Sequence, residues 1–165
     1  MEKLLKLLDN NARLTNAQLA VMLGCTENEV SDRIAQWERD GVIRGYKAII
    51  DWERTDRAYV TALIELRVTP KPDLGFEGIA ERVMRFEEVE SVYLMSGGYD
   101  LAVIVSGRTF KDIAMFVAKR LSTLDSVLST ATHFVLRRYK DRGVIFLGEE
   151  KDERYWNMVI RQALI

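Results

Sequence analysis

The feature that most constrains the fold lies near the amino terminus, where two capping-box spacings bracket a short apolar segment. Thr15 stands three residues before Gln18, and Thr26 stands three residues before Glu29. In such a box the threonine side chain accepts a free backbone N–H of the first helical turn, and the longer side chain bonds back to the threonine backbone. Gly24 lies between the boxes, where a left-handed residue ends one helix before the next begins. The pattern predicts two short helices joined by a tight turn, which is a helix-turn-helix.

The apolar residues around the boxes have helical spacing. Four of them predict a further helix before the pair: Met1, Leu4, Leu5 and Leu8. In the third helix the expected inward face is Val30, Ile34 and Trp37. That helix is expected to run to about Asp40, before Gly41. Short helix pairs also occur in bundles that bind no DNA, so a DNA reader and a purely structural pair both stay open at this point.

Beyond these helices the apolar period changes from 3.6 to 2. The segment Val42–Asp51 is β-like and predicts a strand or a hinge. From Tyr59 to Val68 apolar residues alternate with others, which predicts a strand that Pro70 and Pro72 end.

The pattern then continues as helix, strand, strand, helix and strand. The two helices are expected to begin at Asp73 and at Thr109, the second with Asp112 three residues later. Their inward faces are Phe76, Ile79, Ala80 and Val83, and Phe110, Ile113, Ala114, Val117 and Leu121. The strands are expected at 89–95, 99–106 and 127–138, with Gly97-Gly98 as the turn of a hairpin. The order β-α-β-β-α-β predicts a ferredoxin-like antiparallel sheet with both helices on one face.

The predicted fold class is therefore α+β, an N-terminal (winged) helix-turn-helix followed by a ferredoxin-like βαββαβ domain. The expected boundaries are 1–50 for the helix-turn-helix, 51–58 for a hinge, 59–142 for the sheet domain and 143–165 for a C-terminal tail, with a short helix at its end. The central strands read as apolar on both faces, so the open face of the sheet needs a cover. A second subunit is the natural candidate.

Composition excludes several classes of protein. The 165 residues carry a net charge of −1, with no apolar run long enough to cross a bilayer. The single cysteine, Cys25, leaves no disulfide framework and fits a reducing cytosol, so a cytoplasmic location is expected. His133 is the only histidine and has no second histidine or clustered cysteine to share a metal with, so neither a metal site nor a cofactor is predicted.

Several stretches carry a resemblance to the Lrp/AsnC (leucine-responsive/asparagine-responsive) family of transcriptional regulators: LLDNNARLTNAQLAVMLGCTENEVSDRI, GVIRGYKAIID, MSGGYDLAV and STATHFVL. The first two resemble the family's DNA reader and hinge, and the last resembles its closing strand. The third is similar to a family hairpin motif in which a glycine precedes an aspartate by three residues, here Gly97 and Asp100. The resemblance covers about residues 1–142.

This resemblance implies a regulator rather than an enzyme. Its partners would be double-stranded DNA, a small-molecule effector that is usually an amino acid, and further copies of itself. The implied assembly is a dimer through the sheets, often built up into tetramers or octamers. The amino acid would bind between sensing domains and tune assembly or DNA binding.

The expected DNA contacts are the polar positions off the core face of the third helix and the basic residues after it: Thr26, Asn28, Ser31, Arg33, Arg44 and Lys47. Thr26 would cap the helix in the major groove. Asn28, Ser31 and Arg33 would lie closest to the DNA. Arg44 and Lys47 would contact phosphates.

The expected effector site centres on the hairpin: Ser96, Gly97, Gly98, Tyr99, Asp100 and Thr132. Backbone N–H groups of the hairpin would hold a carboxylate and Asp100 an ammonium, a pairing that suits a zwitterion. The competing interpretation is an ordinary turn, where glycines and aspartate are expected on local grounds.

Two alternatives stay open. Residues 1–56 hold eight Lys/Arg against ten Asp/Glu, and Glu27, Glu29 and Asp32 crowd the start of the third helix, so the reader could be weak or vestigial. The second alternative is an enzyme. Sirohaem decarboxylases resemble this family in their helix-turn-helix and ferredoxin-like domains, and four basic residues could bind the carboxylates of such a tetrapyrrole: Arg108, Arg137, Arg138 and Lys140.

Overall fold

A computed structural model of the protein describes residues 2–70, 72 and 75–146. The chain divides into two compact units, Met1–Ile49 and Ile50–Ile165. We call them the helical unit and the sheet unit. The predicted cap at Asp73 and the predicted tail helix lie outside the described residues.

The helical unit contains three helices. They are α1, Glu2–Asn10, α2, Asn16–Leu23, and α3, Glu27–Arg39. Their shared core is small: Leu4, Leu8, Leu19, Ala20, Val30 and Trp37 are buried, and Ile34 is half-buried against them. Apart from Met1, which lies outside the described residues, the predicted apolar stripes of α1 and α3 therefore face the core.

Both predicted capping boxes are present. The Thr15 hydroxyl accepts the Gln18 N–H, the Thr26 hydroxyl accepts the Glu29 N–H, and each partner side chain accepts the threonine N–H in return. Gly24 has φ +68°, a left-handed conformation in which a Cβ would be strained. Local hydrogen bonds thus set the start of α2, its end and the start of α3 within a few residues.

Of the two structures predicted for Val42–Asp51, a strand or a hinge, the strand does not form. No residue from 42 to 51 pairs in a ladder within the described chain. A strand needs a neighbouring edge to bond to, and the helical unit offers only helices. The first regular structure after α3 is a 3-10 turn at Trp52–Arg54, capped by Asp51, inside the expected hinge.

The sheet unit holds four main strands. They are β1, Val60–Val68, β2, Val89–Leu94, β3, Leu101–Gly107, and β4, Val127–Phe134. Their order across the sheet is β2-β3-β1-β4, with every neighbouring pair antiparallel, so the ferredoxin-like prediction is confirmed. Several strand ends differ from the prediction. Tyr59 and Tyr99 precede the first residues of β1 and β3, Met95 follows the last residue of β2, and β4 ends at Phe134 instead of residue 138.

Two helices pack on the sheet, α4, Gly75–Val83, and α5, Phe110–Phe116, which continues as a π-helical turn at Val117–Leu121. Their buried side chains include Ile79, Val83, Ile113, Phe116, Val117 and Leu121, which pack on alternate residues of β1 and β3. Two members of the predicted inward face, Phe110 and Ala114, are exposed, and Phe116 is buried in their place. Phe110 is the first residue of α5 and packs edge-on against Phe134, with ring centroids 4.9 Å apart.

A short hairpin follows β4. Its strands are β5, Lys140–Asp141, and β6, Val144–Ile145, with positive φ at Arg142 and Gly143 between them. The boundary expected after residue 142 therefore falls inside a turn. Within the described ranges, no helix combines the length and apolarity of a membrane span.

The open face of the sheet is mixed in character. β3 is apolar on both faces as predicted, with Ala102 and Ile104 on the open side. On β1 the open side has Leu63 at its centre but also Thr61 and Glu65, so the prediction of two apolar faces is wrong there. Alternation puts every second residue of β1 on this face, and three of these four residues are polar: Thr61, Glu65 and Arg67.

Candidate DNA-binding and effector-binding sites

The outward surface of α3 is polar and open to solvent. Asn28, Ser31 and Asp32 are exposed, while Val30 and Trp37 anchor the opposite side in the core. Residues three or four apart on a helix are neighbours, so Asn28 shares one face with Ser31 and Asp32. The helix therefore presents a continuous polar surface that starts within its first turn.

Arg33 lies on a different part of the same helix. It is exposed, but it follows Ser31 by two residues, and such residues do not face each other on a helix. It stands three residues after Val30 and four before Trp37, both buried. The structure thus brings Asn28 and Ser31 together and places Arg33 on the flank beside the core.

Hydrogen bonds occupy three carboxylates of α3 and its C-cap: Glu29, Glu38 and Asp40. The Thr26 N–H and hydroxyl both donate to Glu29 Oε2 at 2.8 Å. The backbone bond first, and the hydroxyl bond second, lower the pKa of Glu29 below its ordinary value. Near the other end, Gln36 donates to both oxygens of Asp40 at 2.9 Å. These local bonds hold the side chains along the helix.

The basic residues after α3 differ in their surroundings. Arg44 folds back over the turn, so that a Cβ at Gly41 would lie 3.2 Å from Arg44 Cζ. Lys47 is exposed. Between them the Tyr46 hydroxyl donates to Glu38 at 3.0 Å. Burial, followed by this bond, raises the pKa of Tyr46. Arg44 and Lys47 are both exposed and follow α3 in the sequence.

The β2–β3 loop is open to solvent at its tip. Met95 N–H donates to Asp100 O at 2.8 Å and closes the loop. Ser96, Gly97 and Gly98 are exposed, and a Cβ at either glycine would meet open space. Within the described part of the chain, the N–H groups of residues 96–99 have no hydrogen-bond acceptor. These donors are available to an anionic group.

Asp100 already has a structural partner. Its Oδ2 accepts the Val68 N–H at 2.8 Å, and its own N–H donates to Leu66 O at 2.9 Å. One carboxylate oxygen therefore ties the end of β1 to the hairpin. The other oxygen, Oδ1, has no hydrogen bond among the described residues.

Thr132 is not part of the hairpin site within one subunit. It lies on β4 opposite Ile64, whereas the hairpin joins β3 beside Leu66. β1 separates β4 from β3, and two strand spacings amount to roughly 10 Å. Only contact with another copy of the chain would bring Thr132 near a hairpin.

A cluster that sequence reasoning missed surrounds the start of β1. Trp52 and Tyr59 stack with centroids 5.5 Å apart, and the Arg57 guanidinium lies 4.8 Å from the Trp52 ring. The Tyr59 hydroxyl donates to Glu90, and burial followed by this bond raises the pKa of Tyr59. Part of the expected hinge is therefore fixed to the sheet unit. The presence of a tryptophan, an arginine and a tyrosine within residues 52–59 could have indicated this cluster from the sequence.

A second unpredicted group lies between β2 and the π-helical turn. Arg120 donates to Glu88 Oε1 at 3.3 Å and lies 4.3 Å over the Phe86 ring. Glu88 Oε2 is buried without a partner among the described residues. The groups are 32 positions apart in sequence, so no local pattern joins them.

The remaining candidates concern metals and enzymes. His133 lies on the open face, with Nε2 3.2 Å from Glu65 Oε1. No cluster of metal-ligating residues occurs in the described part of the chain. Of the basic group considered for a tetrapyrrole, Arg138 lies 3.5 Å from Asp141 and Arg137 stacks 5.4 Å from the Tyr139 ring. Both are engaged with side chains of their own segment.

Family models match both units. The AsnC-type helix-turn-helix domain matches residues 2–37. The Lrp/AsnC ligand binding domain matches residues 61–145. The exposed face of α3 lies within the first match, and the β2–β3 hairpin lies within the second.

Individual proteins agree with these models. The Bacillus subtilis protein YugG, an uncharacterized HTH-type transcriptional regulator, is 48% identical over 92% of each chain. LrpA of Pyrococcus horikoshii, an HTH-type transcriptional regulator, is 28% identical over 83% of this chain and 94% of its own.

Solved structures have the same fold. A Neisseria meningitidis transcriptional regulator in complex with L-Met superposes with a TM-score of 0.70 at 26% identity, covering 84% of this chain and 89% of its own. Escherichia coli AsnC superposes with a TM-score of 0.67 at 21% identity, covering 86% and 93%.

Proposed function

The chain belongs to the Lrp/AsnC family of transcriptional regulators, and we propose that it reads double-stranded DNA with α3 and senses an amino acid with its sheet unit. It acts in the cytoplasm as a homo-oligomer. The observation that carries the proposal is the doubly capped α2–α3 pair, whose exposed polar face lies within the residues matched by the helix-turn-helix model.

On the DNA side, Asn28 and Ser31 meet base edges while Thr26 fixes the start of the helix. Arg33, on the flank of α3, contacts a phosphate, as do Arg44 and Lys47. Phosphate contacts supply most of the sequence-independent affinity. The excess of acidic residues in the helical unit lowers this sequence-independent affinity. Several helical units in one oligomer compensate, because they bind several half-sites at once.

Gel-shift titrations with the protein's own promoter test this side. Arg33→Ala weakens binding at fixed salt. Lys47→Ala lowers the slope of log affinity against log salt by about 0.9. Lys6→Ala, which removes the same charge from α1, leaves both quantities unchanged. Unchanged affinity and slope in the Arg33 and Lys47 variants would remove both residues from the interface.

On the effector side, the N–H donors at the hairpin tip hold the amino acid's carboxylate, and Asp100 Oδ1 holds its ammonium. Ser96 adds a hydroxyl, and Tyr99 walls the pocket. The match to a ligand binding domain and the similar regulator in complex with L-Met support an amino acid.

Thermal melts with each of the twenty amino acids identify the effector. A charge-assisted hydrogen bond contributes roughly 1.5–3 kcal/mol, so Asp100→Asn weakens the best responder by about 10- to 100-fold. Asp56→Asn, with the same charge change in an exposed segment, retains the response. Equal stabilisation of wild type and Asp100→Asn would reduce Asp100 to a turn residue.

The open face of the sheet is the proposed subunit contact. Leu63 and Ile104 form its apolar centre, and an uncovered lone sheet would leave both only half-buried and partly facing water. Leu63→Lys lowers the mass measured by light scattering, whereas Leu136→Lys, at a side chain 86% exposed, does not. An unchanged mass for Leu63→Lys would place the contact elsewhere.

A further inference from the structure

The carboxylates of α3 differ sharply in their surroundings. Glu29 is bound in the capping box, Glu38 accepts the Tyr46 hydroxyl, and Asp40 accepts the Gln36 amide. Asp32 is exposed and has no hydrogen bond or ion pair among the described residues. Its carboxylate is therefore available to a partner from outside the chain.

Asp32 also occupies the most outward part of α3. It follows Asn28 by four residues, so the two side chains are neighbours one turn apart. It lies two residues after buried Val30 and five before buried Trp37, which places it opposite the core. Glu27, by contrast, lies three residues before buried Val30, so it is on the side of the helix next to the core. The outward face thus presents an amide and a carboxylate side by side.

A carboxylate on a surface that meets DNA repels every phosphate. It can therefore stabilise the complex only where it faces a hydrogen-bond donor on a base edge. In the major groove the group it suits is the exocyclic N4 amino group of cytosine, a hydrogen-bond donor. Adenine also has an amino group, but its N7 acceptor lies beside it and suits an amide such as Asn28 instead. The two outward side chains therefore match two different bases.

Resting on the proposed DNA-reading function, we propose that Asp32 is a specificity-determining residue that accepts a hydrogen bond from a cytosine N4, next to an adenine read by Asn28. Residues one turn apart are separated by about 6 Å along the helix. Base pairs repeat every 3.4 Å or so. The cytosine and the adenine therefore lie one or two steps apart in each half-site.

The test uses the full chain and a duplex chosen from a random pool by the wild-type protein. Each cytosine of that duplex is replaced in turn by N4-methylcytosine, which still pairs with guanine but turns its methyl group into the major groove in place of the N–H. At one cytosine the wild-type affinity falls by roughly 5- to 150-fold, as expected for one base contact. Asp32→Ala, which has no acceptor, no longer distinguishes the two duplexes, and Asp9→Ala, with the same charge change on α1, distinguishes them fully.

The outcomes separate the inference from the function beneath it. If Asp32→Ala raises the affinity for every duplex by one common factor, Asp32 only repels phosphates and the inference fails. A wild-type protein indifferent to methylation at every cytosine also overturns it. Absence of any sequence preference in the wild-type protein instead contradicts the DNA-reading function itself.

Discussion

The helical unit and the sheet unit are held together over very different distances along the chain. In the helical unit, side-chain hydrogen bonds between described residues join positions no more than eight apart, the longest being Tyr46 to Glu38. In the sheet unit Asp100 bonds to Val68 across 32 positions, and Tyr59 to Glu90 across 31. The polar face of α3 is therefore specified by local sequence, whereas the surroundings of the β2–β3 hairpin depend on which strands become neighbours.

The largest expected effect tests whether the two units are stabilised separately. Leu66, fully buried in β1, contacts the core between strands and helices. Leu66→Ala is expected to cost about 2–5 kcal/mol of unfolding free energy, because a cavity remains where the side chain was. Hydrogen exchange should rise in β1, β3 and β4 and stay unchanged in α1–α3. The counterpart is Leu19→Ala, which should raise exchange in the helices alone. Equal acceleration in both units from either variant would contradict the comparison.

A smaller effect is expected at the long-range contact of the hairpin. Asp100→Ala leaves the Val68 N–H without its acceptor, which costs about 1–3 kcal/mol. Asp100→Asn retains an oxygen at the same place and should cost less. Urea unfolding without effector measures both variants. If the two unfold alike, the bond to Val68 does not hold the hairpin to β1.

The same local motif occurs in both units and allows a matched test. Thr26 and Thr109 each begin a helix with a complete capping box. Replacing either by alanine should cost about 1 kcal/mol, since one backbone N–H loses its acceptor. Calorimetric melts of the two variants measure the loss. A much larger cost for Thr109→Ala would show that a local motif in the sheet unit depends on its tertiary surroundings.

The smallest effect concerns acid. The pKa of Glu29 is lowered in the folded protein, first by the Thr26 backbone N–H. Its contribution to stability is therefore complete above the ordinary value of 4.5 and is lost as the pH falls through the lower folded value. The Thr26 amide resonance, followed by NMR from about pH 6 to about pH 2, should titrate with a midpoint below 4.5. Glu29→Gln, which keeps a capping side chain, should abolish that step. A midpoint at or above the ordinary value would show that the box does not favour the charged carboxylate.

Much of the fold was predictable because it depends on short patterns. The boxes at Thr15, Thr26 and Thr109, the left-handed turn at Gly24 and the βαββαβ order are all confirmed. The exposed polar residues of α3 were predicted too, but the prediction grouped them on one face. Placing Arg33 on a flank, apart from Asn28 and Ser31, needed the helix geometry applied residue by residue.

The sequence by itself determined the capped helix starts at Thr15, Thr26 and Thr109, the alternation of the strands and the family of the protein, because each rests on bonds or motifs within a few residues. Only the tertiary structure decided that Asp100 secures Val68, that Thr132 lies two strands from the hairpin, and that 42–51 pairs with no strand in the described chain. The physical reason is that strand neighbours are chosen by the packing of the whole sheet. A residue's spacing along the chain leaves its partner across a ladder undetermined.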